Sequence, residues 1–400
     1  MLKEPQRIPT SNRIEVLDVI RGFAVFGIFM VNVEIMNCTF INQDAFNAQW
    51  TSTLDIISVR FLQLFFYSKF FPIFSFLFGV GIAMQALKAY EKNAYSKWFF
   101  IRRMLGLFVI GWLHIIVFWS GDVVHLYALL GLLTASFLKI SNKYLLFWSA
   151  LLLLFPYYDP VFEWFFNLID FSPQLALSDY TSADIVEVIH NGSYMEGIKL
   201  RVSEYIANIP LLFSYLAPVA FSMFLLGLYF GKKRIIYSID SYVNRIKWPI
   251  LLTTIFTNAY RLVFLLVLPH YEIYSEYSAV LGKMMFVSDV VMGLFYLWLI
   301  AYLIRFKFWN FVLSPLKYVG RMALTNYIMQ SAIGLFLFSS VGLSLYETLS
   351  PFQTILLAVS VFLLQIIYSK AWLKYFNFGP LEWVWRCFSY KKLLPFIKNN

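Results

Sequence analysis

Residues 111–133, GWLHIIVFWSGDVVHLYALLGLL, carry four side chains able to give or take a proton, His114, Asp122, His125 and Tyr127, inside an otherwise apolar run. Histidine is the side chain whose unperturbed pKa falls in the physiological window. A carboxylate beside it fixes its tautomer and stabilises its charged form. Together these groups are the minimal apparatus of a general base. At 1.5 Å per helical residue, His114 lies roughly 7–8 Å below a turn at Trp119–Asp122, and His125 about one turn below it on the returning helix. The spacing therefore predicts that the three side chains converge near one face of a membrane. A structural reading competes, with Asp122 as the N-cap of the following helix and the histidines satisfied at the interface. A cap accounts for Asp122 but not for His114 on the other helix.

Other polar groups interrupt apolar runs, where an ionisable residue costs about 2.5–3.5 kcal/mol on insertion scales and is a functional hypothesis by default. Asp18 and Arg21 are three apart on one helix face and are expected to pair, with Asn32 three turns further out. Gly79 and Gly81, in FSFLFGVG, allow close approach of another backbone or a ligand. In GRMALTNYIMQS, Arg321 and Asn326 stand where a helix begins. Free N–H groups and a bidentate guanidinium suit a phosphate there. Arg102 and Arg103 offer further cations on the same side. GPLEWVWR reads as an interfacial helix with Pro380 in its first turn and Glu382 and Arg386 at i,i+4. Arg261 and Asp289 are each isolated, and a pair across helices is the simplest account.

The elements that must position these residues follow from the composition. The chain of 400 residues is 60% hydrophobic and 14% charged, which excludes an ordinary soluble domain. A membrane-spanning all-α bundle is expected. About 20 apolar residues cross a bilayer, and ten such stretches are read near 15–36, 67–88, 99–119, 122–139, 143–158, 208–231, 248–268, 284–304, 323–345 and 352–373, with 56–66 as an interfacial helix before the second. Lys and Arg concentrate in alternate connections and in both tails, among them Lys3, Arg7, Arg13 and Lys92, which puts both termini in the cytoplasm. The first stretch is expected to be a retained span, since Asp18 and Arg21 interrupt it and no cleavage pattern follows. The acidic connection 159–207 is expected outside and separates two groups of five spans, 1–158 and 208–400. Its sequon at Asn191 is taken as chance.

The net charge of +10 is dispersed between apolar runs with no basic stripe, so no nucleic-acid partner is expected. Membrane lipids are. Cys38 and Cys387 have no Cys or His at ligand spacing, and His190 and His270 stand apart from His114 and His125, so no metal is expected. Small-residue stretches permit a homodimer without requiring one.

The segments LDVIRGFAVFGIFMVNV, FSFLFGVGIAMQ, LHIIVFWSGDVVHLYALLGLL, GRMALTNYIMQS and GPLEWVWR, in that order over nearly all of the chain, closely resemble the YeiB-like bacterial membrane proteins that carry the domain of unknown function 418. That domain would cover about 225–395. The family's first span is similar in turn to that of heparan-α-glucosaminide acetyltransferase and other transmembrane acyltransferases, with the match carried by Asp18, Arg21, Gly22 and Asn32. The resemblance implies transfer from acyl-CoA in the cytoplasm to a sugar or similar acceptor on the far side, in a bacterial inner membrane. It departs at one point, since the acetyltransferase has its catalytic histidine in the first external loop and residues 37–66 contain none here. His114 is the nearest substitute.

Three function classes follow. In an acyltransferase, Arg321, Arg102 and Arg103, with Asn326, hold the acyl-CoA phosphates, while His114, oriented by Asp122 and assisted by Asn32, deprotonates an acceptor hydroxyl or amine on a small molecule or glycan. In a secondary transporter or exporter, Asp122, His114, Asp289 and Arg261 form a relay. A non-catalytic lipid-binding partner would need neither.

Overall fold

The computed structural model describes residues 10–91, 93, 96–270 and 272–398. Lys3, Arg7 and Lys92 lie outside the described residues. Among these residues the chain is all-helical, with no strand. Seven helical segments are long and apolar enough to cross a membrane: Glu15–Asn37, Thr53–Glu91, Lys97–Val117, Ile209–Lys232, Lys247–Val267, Val280–Leu303 and Pro351–Tyr375. Two more, Val124–Lys139 and Ala323–Phe338, are apolar but shorter.

The helices that build the site are α1 (Thr10–Asn37), α2 (Thr53–Phe65), α3 (Phe70–Glu91), α4 (Lys97–Val117), α5 (Val124–Ser136), α6 (Asn142–Leu152), α7 (Asp159–Leu168) and α8 (Tyr194–Ala207). They continue with α9 (Ala217–Lys232), α10 (Lys247–Leu262), α11 (Glu272–Leu303), α12 (Leu316–Arg321), α13 (Ala323–Phe338), α14 (Pro351–Tyr375) and α15 (Pro380–Tyr390). Single turns of π-helix, Leu212–Leu216 and Val263–Val267, lead into α9 and out of α10.

The expected stretch 143–158 is realised as α6, an 11-residue helix. At 1.5 Å per residue that is about 16 Å, against about 30 Å of hydrocarbon. Likewise 323–345 ends as a helix at Phe338, where Ser339 turns extended. The segment 56–66 belongs to α2, which runs toward α3 across a break at Phe66–Lys69, where Ser68 takes φ 63°. Two close helix crossings set the frame. A Cβ on Gly79 would run into the Phe224 carbonyl, and one on Gly320 into the Asp18 carbonyl. The first locks α3 to α9 and the second α1 to α12. Gly81, by contrast, faces open space.

Candidate functional site: a buried His–Asp–His group between two cavities

The turn between α4 and α5 closes because Gly111 has no side chain, since a Cβ there would meet the His125 backbone nitrogen. This brings His114, Asp122 and His125 together, each no more than 2% exposed. His114 Nδ1 lies 2.9 Å from Asp122 Oδ1, and His125 Nδ1 lies 2.7 Å from Asp122 Oδ2. Oδ2 also accepts the His125 backbone N–H at 2.9 Å. Asp122 thus caps α5 from one residue before the N-cap position, which Val123 occupies without a side-chain bond. The helix cap and the contacts to both imidazoles are therefore joined in one carboxylate. An ionised carboxylate only accepts, so each Nδ1 carries the proton and each neutral ring presents its Nε2 lone pair. His125 Nε2 receives the Tyr205 hydroxyl at 2.9 Å. Burial, then the Asp122 charge, pushes that hydroxyl up to about 12, so it stays a donor. His114 Nε2 is buried with no hydrogen-bond partner.

Two cavities flank this group. One, of about 230 Å3 and called inner because its side is the one expected to face the cytoplasm, is lined by Arg21, Arg103, Arg321 and Arg386 and reaches Tyr127. The outer one, of about 360 Å3, is lined by Asn32, Asp122 and Tyr205 and by a majority of apolar and aromatic side chains. Ile28, Val123 and Tyr327 line both. These three residues separate the cavities. The Tyr327 ring lies 5.1 Å from the His114 ring, so His114 stands behind the partition rather than in either cavity. Tyr127, expected in the proton-handling set, instead donates to the Phe71 carbonyl at 3.0 Å and lies 2.7 Å from Ser75 Oγ.

The inner residues need three corrections. Glu382 does not pair with Arg386. Its Oε1 accepts the N–H groups of Leu324 at 2.7 Å and Thr325 at 3.1 Å, and its Oε2 the Thr325 hydroxyl at 2.5 Å. The N-terminus of α13, where a phosphate was expected, is thus filled by the chain's own carboxylate. Burial raises the Glu382 carboxyl above its ordinary value against these bonds. Arg386 packs over the Phe378 ring at 4.7 Å. Asn326 faces away from the cavity, donating to the Met322 carbonyl and to Ser369 Oγ of α14, each at 3.0 Å. Arg102 donates to the Ser389 carbonyl at 3.3 Å, away from the cavity, whereas Arg103 stacks on Trp385 at 3.7 Å and does line it.

Asp18 and Arg21 pair as expected, at 2.6 Å. Arg261 lies 3.1 Å from Asp289, and Lys69 joins them at 2.9 Å. Lys69 and Arg261 also donate to the carbonyls of Gln63, Leu64 and Tyr67. The group therefore holds the end of α2 at the break before α3. Lys69 had no place in the sequence reading, nor did Glu34, which accepts the Tyr67 hydroxyl. Both sit inside stretches read as spans, so an ionisable residue in a span was the available signal. Glu204 of α8 is half-buried and accepts the Ser120 hydroxyl at 2.8 Å. Burial raises its carboxyl, opposed by Ser120 and Arg201.

Residues 230–392 match the family described as "Protein of unknown function (DUF418)". The chain is similar over 98% of its length to "Uncharacterized protein YxaH" of Bacillus subtilis (strain 168), at 28% identity over 98% of that protein. It is 31% identical to "Uncharacterized 39.9 kDa protein in amylase 3'region" of Bacillus acidopullulyticus, over 98% of this chain and 97% of that one. With "Uncharacterized protein YeiB" of Escherichia coli (strain K12) it shares 26% identity over 96% and 98% of the two chains. No solved structure matches. Full-length similarity of this kind, with the family match over the C-terminal half, identifies the chain as a member of the YeiB-like DUF418 family.

Proposed function

We propose that the protein is an integral membrane acyltransferase that takes its acyl group from acyl-CoA on the cytoplasmic side and gives it to a hydroxyl or amine on the other. The observation that carries this reading is His114, with Nδ1 held by a buried carboxylate and Nε2 free, beside a partition shared by an arginine-lined cavity and a mainly apolar one. Arg21, Arg103, Arg321 and Arg386 would hold the phosphates. Guanidinium groups suit this by charge and bidentate geometry. Tyr327 would turn aside to join the cavities. The acceptor oxygen or nitrogen then bonds to the acyl carbon, the carbon–sulfur bond breaks, and the acceptor proton passes to His114 Nε2 and from there to the leaving thiolate.

In this reading the chain crosses a bacterial inner membrane with both termini in the cytoplasm, and the ten-span map extends the seven long helices with the three short ones. Calorimetric titration of acetyl-CoA and CoA into the purified protein in detergent tests it. Binding is expected for the native chain and to weaken by about tenfold or more for Arg321→Ala with the unfolding midpoint unchanged, a loss of about 1.4 kcal/mol. No binding to a folded native chain sinks the reading.

A secondary transporter is the second reading. It is favoured by the same two cavities meeting at three residues, as alternating access to a central site requires. Proton-coupled flux lost in Asp289→Asn and Asp122→Asn, without CoA binding, would put it first.

A further inference from the structure

We infer that the outer cavity is open sideways to the bilayer and takes a membrane lipid bearing a hydroxyl or amine headgroup, which makes the acceptor a lipid rather than a dissolved molecule. The acceptor role rests on the acyltransferase reading; the lipid site does not. Three observations place the opening. Leu211 and Phe286 line the cavity and are nonetheless 43% and 40% exposed. They lie a few residues into the apolar segments Ile209–Lys232 and Val280–Leu303, and so at the depth of one leaflet rather than in water. The Tyr215 ring, 4.8 Å from Phe286, joins the two sides of this opening.

The wall on one side is the π-helical turn Leu212–Leu216, a distortion found often at functional positions in helices. Against that turn packs α7. Its residues Val161, Trp164, Phe165 and Leu168 recur at i, i+3, i+4 and i+7 and are all exposed, which is the apolar stripe of a helix lying in a membrane surface. The opening therefore sits beside a helix built to rest among lipid headgroups.

The cavity's chemistry runs in the same direction. Among the lining residues, Asp122 and Tyr205 belong to the hydrogen-bonded group around His114 and His125, while Tyr215, Leu211 and Phe286 stand at the open end. A polar head fits the first and hydrocarbon the second. A volume of about 360 Å3 is at the small end of ligand pockets. It holds a headgroup and the first carbons of one chain and leaves the rest of the hydrocarbon outside, which an opening to water would not permit.

Vesicles of phosphatidylglycerol and phosphatidylethanolamine doped with a phosphatidylglycerol carrying a diazirine on the first carbons of one acyl chain, irradiated with the native protein and mapped by mass spectrometry, test this without any CoA present. Label is expected on interior wall residues Gly27, Ile28, Val31, Phe70 and Tyr215 at several times the level on the closed α3–α9 crossing. Label confined to outward-facing residues such as Leu363, Leu364 and Ile367 of α14 overturns the lipid site. In Leu211→Trp/Phe286→Trp, interior label should fall several-fold while the α14 label stays. Unchanged interior label in a folded variant overturns the placement of the opening, and a variant that fails to fold leaves the native mapping to decide. Because acetyl-CoA binding is measured separately, loss of the acyltransferase reading and loss of the lipid site give different results.

Discussion

Two buried carboxylates perform the same local task on the two sides of the cavity partition, and they are wired differently. Asp122 caps α5 and Glu382 caps α13, each accepting backbone N–H groups from the start of a helix. Asp122 gives its remaining capacity to two imidazoles, and one of those rings keeps a free nitrogen. Glu382 gives its remaining capacity to a hydroxyl that itself accepts the Leu381 N–H at 3.1 Å. The first cap is connected to a group that can hold a proton, whereas the second closes on itself. Burial and hydrogen-bond count alone do not separate a functional carboxylate from a structural one. In the proposed reading, what makes Asp122 the working carboxylate and Glu382 a structural one is whether the partner has an unfilled site.

The sharpest test is Asp122→Ala. It strands the His125 N–H and two Nδ1–H groups where the Asp122 side chain has no exposure, and three unsatisfied buried donors at about 1–3 kcal/mol each cost about 3 kcal/mol or more together. Thermal unfolding in detergent should show it as the largest loss among these variants. Glu382→Ala should cost less, about 2–3 kcal/mol, because Glu382 keeps 8% exposure where the Asp122 side chain has none, so water reaches the freed N–H groups more readily. Equal losses would erase the distinction between the two caps. The same variant removes a negative charge from among four arginines, so it should tighten acetyl-CoA binding where Asp122→Ala leaves it unchanged.

The two histidines sharpen the comparison within the outer group. His125 is bonded at both nitrogens and His114 at one. His125→Ala should therefore destabilise by about 1 kcal/mol more than His114→Ala, the net value of the extra Tyr205 bond. Activity should fall in the opposite order. If unfolding midpoints and activity move together across the two variants, His114 is a structural residue.

The outer group was legible in the sequence because a short turn and a fixed helical rise determine where 114, 122 and 125 can be. Tyr205, 80 residues further on, was not, since no local spacing ties α8 to that turn. At Glu382 the local rule gave a wrong partner for an energetic reason. An i,i+4 ion pair is worth about 0.2–0.5 kcal/mol, while hydrogen bonds to a charged group are worth about 1.5–3 each, so the start of α13 wins over Arg386. The seven long helices follow from hydropathy. The ends of α6 and α13 do not, because an apolar run continues past the residue at which the backbone turns.

The smallest expected effect is a pH dependence, and it belongs to Glu382. Burial raises its carboxyl above the ordinary 4.5 against the bonds from Thr325 and Leu324, so between 4.5 and the raised value the folded chain binds more proton than the unfolded one. Stability from this group is then fully present below 4.5 and is lost as pH rises through the folded value. Glu382→Gln keeps an acceptor for the same N–H groups and removes the titration. The difference in unfolding midpoint between native and variant should drift in the variant's favour as pH rises across that window, by an amount set by the size of the shift. A difference that stays flat would mean that the α13 N-terminus compensates the desolvation of the carboxylate, and Glu382 would then hold its charge at the edge of the arginine-lined cavity at all working pH values. In that case its influence on anion binding would be constant, and the contrast with Asp122 would rest on wiring alone.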